Sequence, residues 1–170
     1  MGEDIGVSRQ PSGAAFDIVL LLHIACVVVG LATTVTSAAT AARVRRLVER
    51  SAPLSDAMGR YFAPGVNWIG RVTYGIPVFG FALLAMSKGA YALRDGWVLG
   101  GLGLFVVLAL VAEGFLWPSE RRLQGTLSGA LAEGVAPDPV VGGDAKTMAF
   151  AATACVVLLL AGSVLMVAQP

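Results

Sequence analysis

Apolar residues gather in four long blocks, at 16–42, 68–86, 97–117 and 148–168, with polar connections between them. Each block is close to or above the ~20 residues an α-helix needs to cross a hydrocarbon layer ~30 Å thick. Helices satisfy their own peptide groups in a solvent that offers no hydrogen bonds. The pattern therefore predicts an all-α fold: a four-transmembrane-helix antiparallel bundle, in a single integral membrane domain over residues 1–170.

The blocks differ in character. Turning about 100° per residue from His23, one face of the first holds Cys26, Val27, Gly30, Thr34, Ser37, Ala38 and Ala41. Small and hydroxyl side chains let helix backbones approach closely in lipid, so this face should look into the bundle. Val44, Leu47 and Val48 keep the period, and the helix should run on past the bilayer. In the second block Arg71 shares a face with Tyr74, Gly75, Val78, Ala82 and Ala85, and Pro77 should kink the helix or free a carbonyl. The third is glycine-rich at one end (Gly96, Gly100, Gly101, Gly103), and the fourth presents Ala151, Cys155, Leu158 and Gly162 on one face.

Trp68, Trp97 and Trp117 mark block ends, where interfacial tryptophans belong. In the third connection, Leu123, Leu127, Ala130 and Leu131 predict a weak amphipathic turn lying on the membrane surface. Pro137, Asp138, Pro139 and Gly142-Gly143 read as a linker after it.

Composition agrees with the membrane reading. Hydrophobic residues make up 56% and charged residues 14%, against roughly a quarter charged in soluble domains. Mean hydropathy is +0.78. The net charge of +1 and the lack of a basic stripe outside the loops argue against a nucleic-acid partner. The acidic start Met1-Gly2-Glu3-Asp4 and the long first block predict an uncleaved anchor, and Gly6 spoils a myristoylation signal.

Eight of the 12 lysines and arginines fall in connections one and three: Arg43, Arg45, Arg46, Arg50, Arg60, Arg121, Arg122 and Lys146. By the positive-inside bias these connections face the cytoplasm, and both termini lie outside, in what is expected to be a bacterial plasma membrane.

Three ionisable residues lie within the blocks, and each is expensive there. Arg71 and Glu113 both sit about one turn inside the cytoplasmic end of their spans, and a short connection makes those spans neighbours. An Arg71–Glu113 ion pair is expected, either clamping two helices or lining a polar path. His23, the only histidine, lies in the outer third of the first span. It can serve as an interhelical hydrogen-bonding group, a haem ligand, or a metal or proton site. Cys26 stands three residues on, and Met86 and Met166 end spans on the same side, so these are the candidate companion ligands for haem or copper. Cys26 and Cys155 could also face each other near mid-membrane. Zinc spacings, phosphate-binding glycine loops and nucleophile elbows are absent.

The run Asp17-Ile18-Val19-Leu20-Leu21-Leu22-His23 resembles the D-x-x-x-x-L-H start of an uncharacterised bacterial family of four-helix membrane proteins. That family is in turn similar to the membrane domain of copper-resistance protein D. The entry Trp97, the glycines after it, Trp117-Pro118 and Arg121-Arg122-Leu123 fit the same pattern, as does a basic residue at Arg71. The likeness covers about two thirds of the chain. It departs where the family has a tryptophan before paired glycines late in span one, since here Gly30 is followed by Leu31. Bacterial four-helix protoporphyrinogen oxidases share the leucine-histidine start, but their basic or tryptophan-rich signature is missing. The resemblance implies the same fold and leaves the role open.

The expected role is that of a non-enzymatic structural or accessory membrane protein. Its glycine- and alanine-lined faces would suit a larger membrane complex or a second copy. A haem- or copper-associated protein using His23, and a small transporter with an Arg71–Glu113 site, are the alternatives.

Overall fold

In the computed structural model, which describes residues 13–63 and 65–168, the first block forms one unbroken helix, α1 (Ala14–Glu49). The acidic start and Arg9 lie outside the described residues. At 36 residues and a rise of 1.5 Å per residue, α1 is roughly 54 Å long and overshoots the hydrocarbon layer at its arginine-rich end. Its buried residues, His23, Cys26, Gly30, Thr34, Ser37, Ala41 and Val44, follow the face read from the sequence.

The second block is broken. A short helix α2 (Asp56–Tyr61) precedes α3 (Trp68–Arg71), a 3-10 turn over Val72–Tyr74, and α4 (Gly75–Met86). Pro77 has no N–H to give the carbonyl of Thr73, and the backbone tightens there instead. The tightening changes the buried face. Gly70 and Thr73 are buried, whereas Val78 on the expected Arg71 face is exposed.

The third block and the connection after it form one rod of 38 residues. It comprises α5 (Gly96–Val111), a π-turn over Ala112–Leu116, and α6 (Trp117–Glu133). Leu123 and Leu127 do not lie on a membrane surface. They are fully buried with Val44, Met58, Phe62 and Met148 in a core at the arginine-rich end. The last helix, α7 (Val141–Val167), starts earlier than expected and takes Gly142-Gly143 into its first turn, so the linker is confined to the residues before it.

Four helices are long and apolar enough to cross a membrane. Their outward surface is apolar as well: Leu21, Val28, Leu110, Phe150, Val157 and Val164 are each more than half exposed. Lipid, not water, suits that surface. The all-α multi-pass bundle thus stands.

α7 is the centre of the packing, lying along α1 on one side and α5 and α6 on another, while α1 also carries α3 and α4. Gly30 and Gly75 make the second contact close. A Cβ on Gly30 would overlap the Thr73 methyl, and one on Gly75 would sit 2.5 Å from the Cys26 sulfur. Spans two and three, adjacent in sequence, make little close backbone contact among the described residues. Aromatic side chains bridge them instead: Tyr74 lies edge-on to Phe105 (6.2 Å) and 5.8 Å from Trp117, and Tyr91 meets Trp97 at 5.5 Å.

Candidate functional site

The separation of spans two and three decides the fate of the expected ion pair. Among the described residues the ion pairs are Arg45–Glu49 and Arg122–Asp144, and Arg71–Glu113 is not one of them. The Arg71 guanidinium lies over two indole rings instead, 5.6 Å from the centre of Trp68 and 5.1 Å from that of Trp117. A cation over an aromatic face is held by the ring quadrupole, for about 0.5–2 kcal/mol. Trp117 is buried in this contact and is no interfacial anchor, whereas Trp68 is largely exposed. Glu113 points outward, and one of its oxygens accepts from the Tyr74 hydroxyl at 2.8 Å.

Glu120 takes the inward position that Glu113 lacks. Seven residues apart, the two would share a face in a regular α-helix. Glu113 and the three residues after it belong to the π-turn, where each residue turns the chain through a smaller angle, so the rest of the helix presents a different face from the one Glu113 lies on. Pro118 and Gly114 account for the irregularity: Pro118 cannot donate to the Gly114 carbonyl four residues back. The outcome is an exposed Glu113 and a buried Glu120, only 4% exposed.

Two residues of the first connection, Asn67 and Tyr61, hold Glu120. Asn67 caps α3 by accepting from the Gly70 N–H at 3.1 Å, and its amide nitrogen donates to Glu120 Oε1 at 3.2 Å. Tyr61, at the end of α2, is hydrogen-bonded to Ser37 Oγ at 2.7 Å, and with Ser37 donating to the Thr33 carbonyl at 3.0 Å the Tyr61 hydroxyl is the donor. Burial and the nearby Glu120 carboxylate both push the Tyr61 hydroxyl above its ordinary pKa, so it stays protonated. Burial pushes the Glu120 carboxyl above its ordinary pKa, and Asn67, Tyr61 and the Arg121 and Arg71 cations act in the opposite direction. Among the described residues no buried side-chain nitrogen or oxygen lacks a partner.

This network forms one end of a cleft of about 560 Å³ between α1, the α2–α3 connection and α6. Glu120, Tyr61, Asn67, Gln124 and Arg60 line its polar end, and Val29, Ala32 and Ile69 its apolar end. Its volume falls in the range of small-molecule sites, roughly 300–1,000 Å³. None of these polar residues was expected from the sequence to form a site.

The residues expected around His23 are only partly together. Its Nδ1–H donates to the Ile76 carbonyl at 2.9 Å, fixing α1 to α4, and Gly80 lies against the ring. His23 and Met166 line a common cavity of about 50 Å³. That is room for about one or two waters, at ~30 Å³ each, and not for a porphyrin. Met86 does not line it, and the Cys26 sulfur faces Gly75. Among the described residues no three His, Cys, Asp or Glu side chains converge as metal ligands. Cys26 and Cys155 are both free, and Cys155 borders a different, narrower gap near Thr34 and Thr73. The geometry does not fit haem at His23.

No family model, no curated protein and no solved structure matches this chain. Its role is therefore read from the geometry.

Proposed function

We propose that the chain is a non-enzymatic accessory protein of a bacterial plasma membrane that binds a ligand in the cleft beside Glu120. The lysine and arginine bias puts that cleft on the cytoplasmic side. The observation that carries the reading is a buried carboxylate at one end of a cavity of about 560 Å³. Burying a carboxylate is unfavourable by several kcal/mol before its hydrogen bonds are made. A bundle needing only to pack would be served as well by leucine. The cleft has the mixed lining of a binding site, with an apolar wall and a few convergent polar groups. Gly103 and Gly114, with open space where a side chain would stand, offer a close approach to a neighbouring membrane protein or a second copy. The transporter alternative loses its basis once Arg71 and Glu113 take separate partners.

The test is native mass spectrometry of the full chain extracted in mild detergent, beside Ala32→Trp, which fills the cleft from an exposed position on α1. A bound molecule retained by the parent and lost from the variant is expected. Equal adducts on both, or none on the parent, would defeat the proposal.

A further inference from the structure

Resting on the cleft reading above, we infer that its ligand is a phospholipid bearing a primary ammonium headgroup, drawn from the leaflet at the arginine-rich end. The α1 wall of the cleft runs from Thr36 to Val29, and the Thr33 and Thr36 hydroxyls on it are turned to backbone carbonyls. Those seven steps cover roughly 10 Å, about a third of the hydrocarbon layer, so the cleft takes the upper part of an acyl chain. On the orientation proposed above, the polar end faces the headgroups, as a lipid in its ordinary orientation requires.

Charge selects the headgroup. Glu120 places a carboxyl group at the polar end of the cleft, where Asn67 donates to one of its oxygens and the Tyr61 hydroxyl lies beside it. A primary ammonium brings three N–H donors to such an acceptor, while a purely anionic headgroup would be repelled. Arg60 lines the same cleft and is itself exposed, so its guanidinium is free to take the lipid phosphate in two parallel hydrogen bonds. The two opposite charges match a zwitterionic head. Choline is disfavoured for a separate reason. A quaternary ammonium has no donor for Glu120 and is ordinarily held by a cage of aromatic faces, yet Tyr61 is the one aromatic residue lining this cleft among the described residues.

The experiment uses the full chain in nanodiscs of phosphatidylglycerol and phosphatidylcholine. Phosphatidylethanolamine, its N-methyl and N,N-dimethyl forms are added in turn at equal mole fraction. Bound lipid is read by native mass spectrometry. Enrichment of the ethanolamine lipid over choline by about tenfold is expected, since one charge-assisted hydrogen bond gained or lost is worth about that factor. Enrichment should fall stepwise with each methyl group. Glu120→Gln should bring the ratio toward one, and Arg60→Gln should weaken every phospholipid alike. The methylation series needs no variant, so a variant that fails to fold leaves the test intact. A flat series with an adduct that Ala32→Trp still removes would overturn the headgroup assignment and leave the cleft reading standing. An adduct insensitive to Ala32→Trp would overturn both. Displacement of the lipid by equimolar soluble phosphoethanolamine would overturn the choice of a bilayer lipid.

Discussion

Gly30→Ala probes the closest helix contact in the molecule. The added methyl would overlap Cγ2 of Thr73, and Thr73 cannot easily turn away. Its hydroxyl donates to the Gly70 carbonyl at 2.9 Å, and the residue is buried inside the 3-10 turn. Overpacking of this kind destabilises by about 1–3 kcal/mol. Alanine in a helix recovers about 0.5–1 kcal/mol relative to glycine. The net expectation is a loss of about 1 kcal/mol. Thr73→Ser removes the obstructing methyl and keeps the hydroxyl, at a loss of about 0.8 kcal/mol for one buried carbon. In the double variant the new alanine methyl occupies the vacated space, so stability should return to within about 0.5 kcal/mol of the parent. The coupling would then be about 1–2 kcal/mol, well above what independent sites show. The assay is equilibrium unfolding in dodecyl maltoside titrated with SDS, followed by far-ultraviolet circular dichroism. A Gly30→Ala protein more stable than its parent, with effects that add when combined with Thr73→Ser, would refute the packing argument.

Exchanging Arg71 and Glu113 should not restore what either single substitution loses, because each residue has its own partners. Coupling above about 0.5 kcal/mol in the same unfolding assay would contradict this. Arg71→Gln alone should lose about 1 kcal/mol, with a matching change in tryptophan fluorescence as the indoles of Trp68 and Trp117 lose their cation. Tyr61 holds its proton more firmly when folded than at its ordinary value of 10.0. Its contribution is therefore complete below pH 10 and declines as pH rises above that, since only the unfolded chain then releases the proton. Tyr61→Phe should unfold with a shallower alkaline slope than the parent. His23→Gln should cost about 1 kcal/mol through the lost bond to the Ile76 carbonyl, and protein purified with haem supplied should show no Soret band tied to His23.

The first span is legible in the sequence because it is regular. A constant turn per residue from His23 reaches Cys26, Gly30, Thr34, Ser37 and Ala41, and all are buried. The same arithmetic fails on spans two and three, where Pro77 and Pro118 change the pitch. A 3-10 turn interrupts the Arg71 face, and a π-turn carries Glu113 outward. Glu120 falls in a stretch that reads as a connection. Yet a signal is present: Glu120, Leu123 and Leu127 are spaced three and four apart, which puts a carboxylate on the face that two leucines bury. Asn67 just before Trp68 carries a second signal, as a helix cap. Tyr61 carries none, because its meeting with Ser37 across 24 residues depends on how the first connection folds back.

The cleft and the closest helix contact share one short element. Asn67 binds Glu120 with its amide nitrogen and caps α3 with its amide oxygen, so any shift of Glu120 is transmitted to the first turn of α3. Two residues beyond the capped Gly70, the 3-10 turn begins, and it carries the Thr73 methyl that meets Gly30. Gly70 itself accepts from the Thr73 hydroxyl, closing the link between cap and contact. An occupant that draws Glu120 into the cleft therefore pulls on the cap, and through it on the junction of the first two spans. Packed helix interfaces such as that of α1 with α3 and α4 switch between discrete arrangements more readily than they deform continuously. On this geometry, ligand binding at the arginine-rich end should alter the tilt of α4 against α1, where His23 and Cys26 lie against Gly80 and Gly75. Lipid-dependent broadening of distances between spin labels at Ala85 and Ala39, both exposed, would register it, and distances indifferent to Glu120→Gln would show the cap to be uncoupled from the bundle.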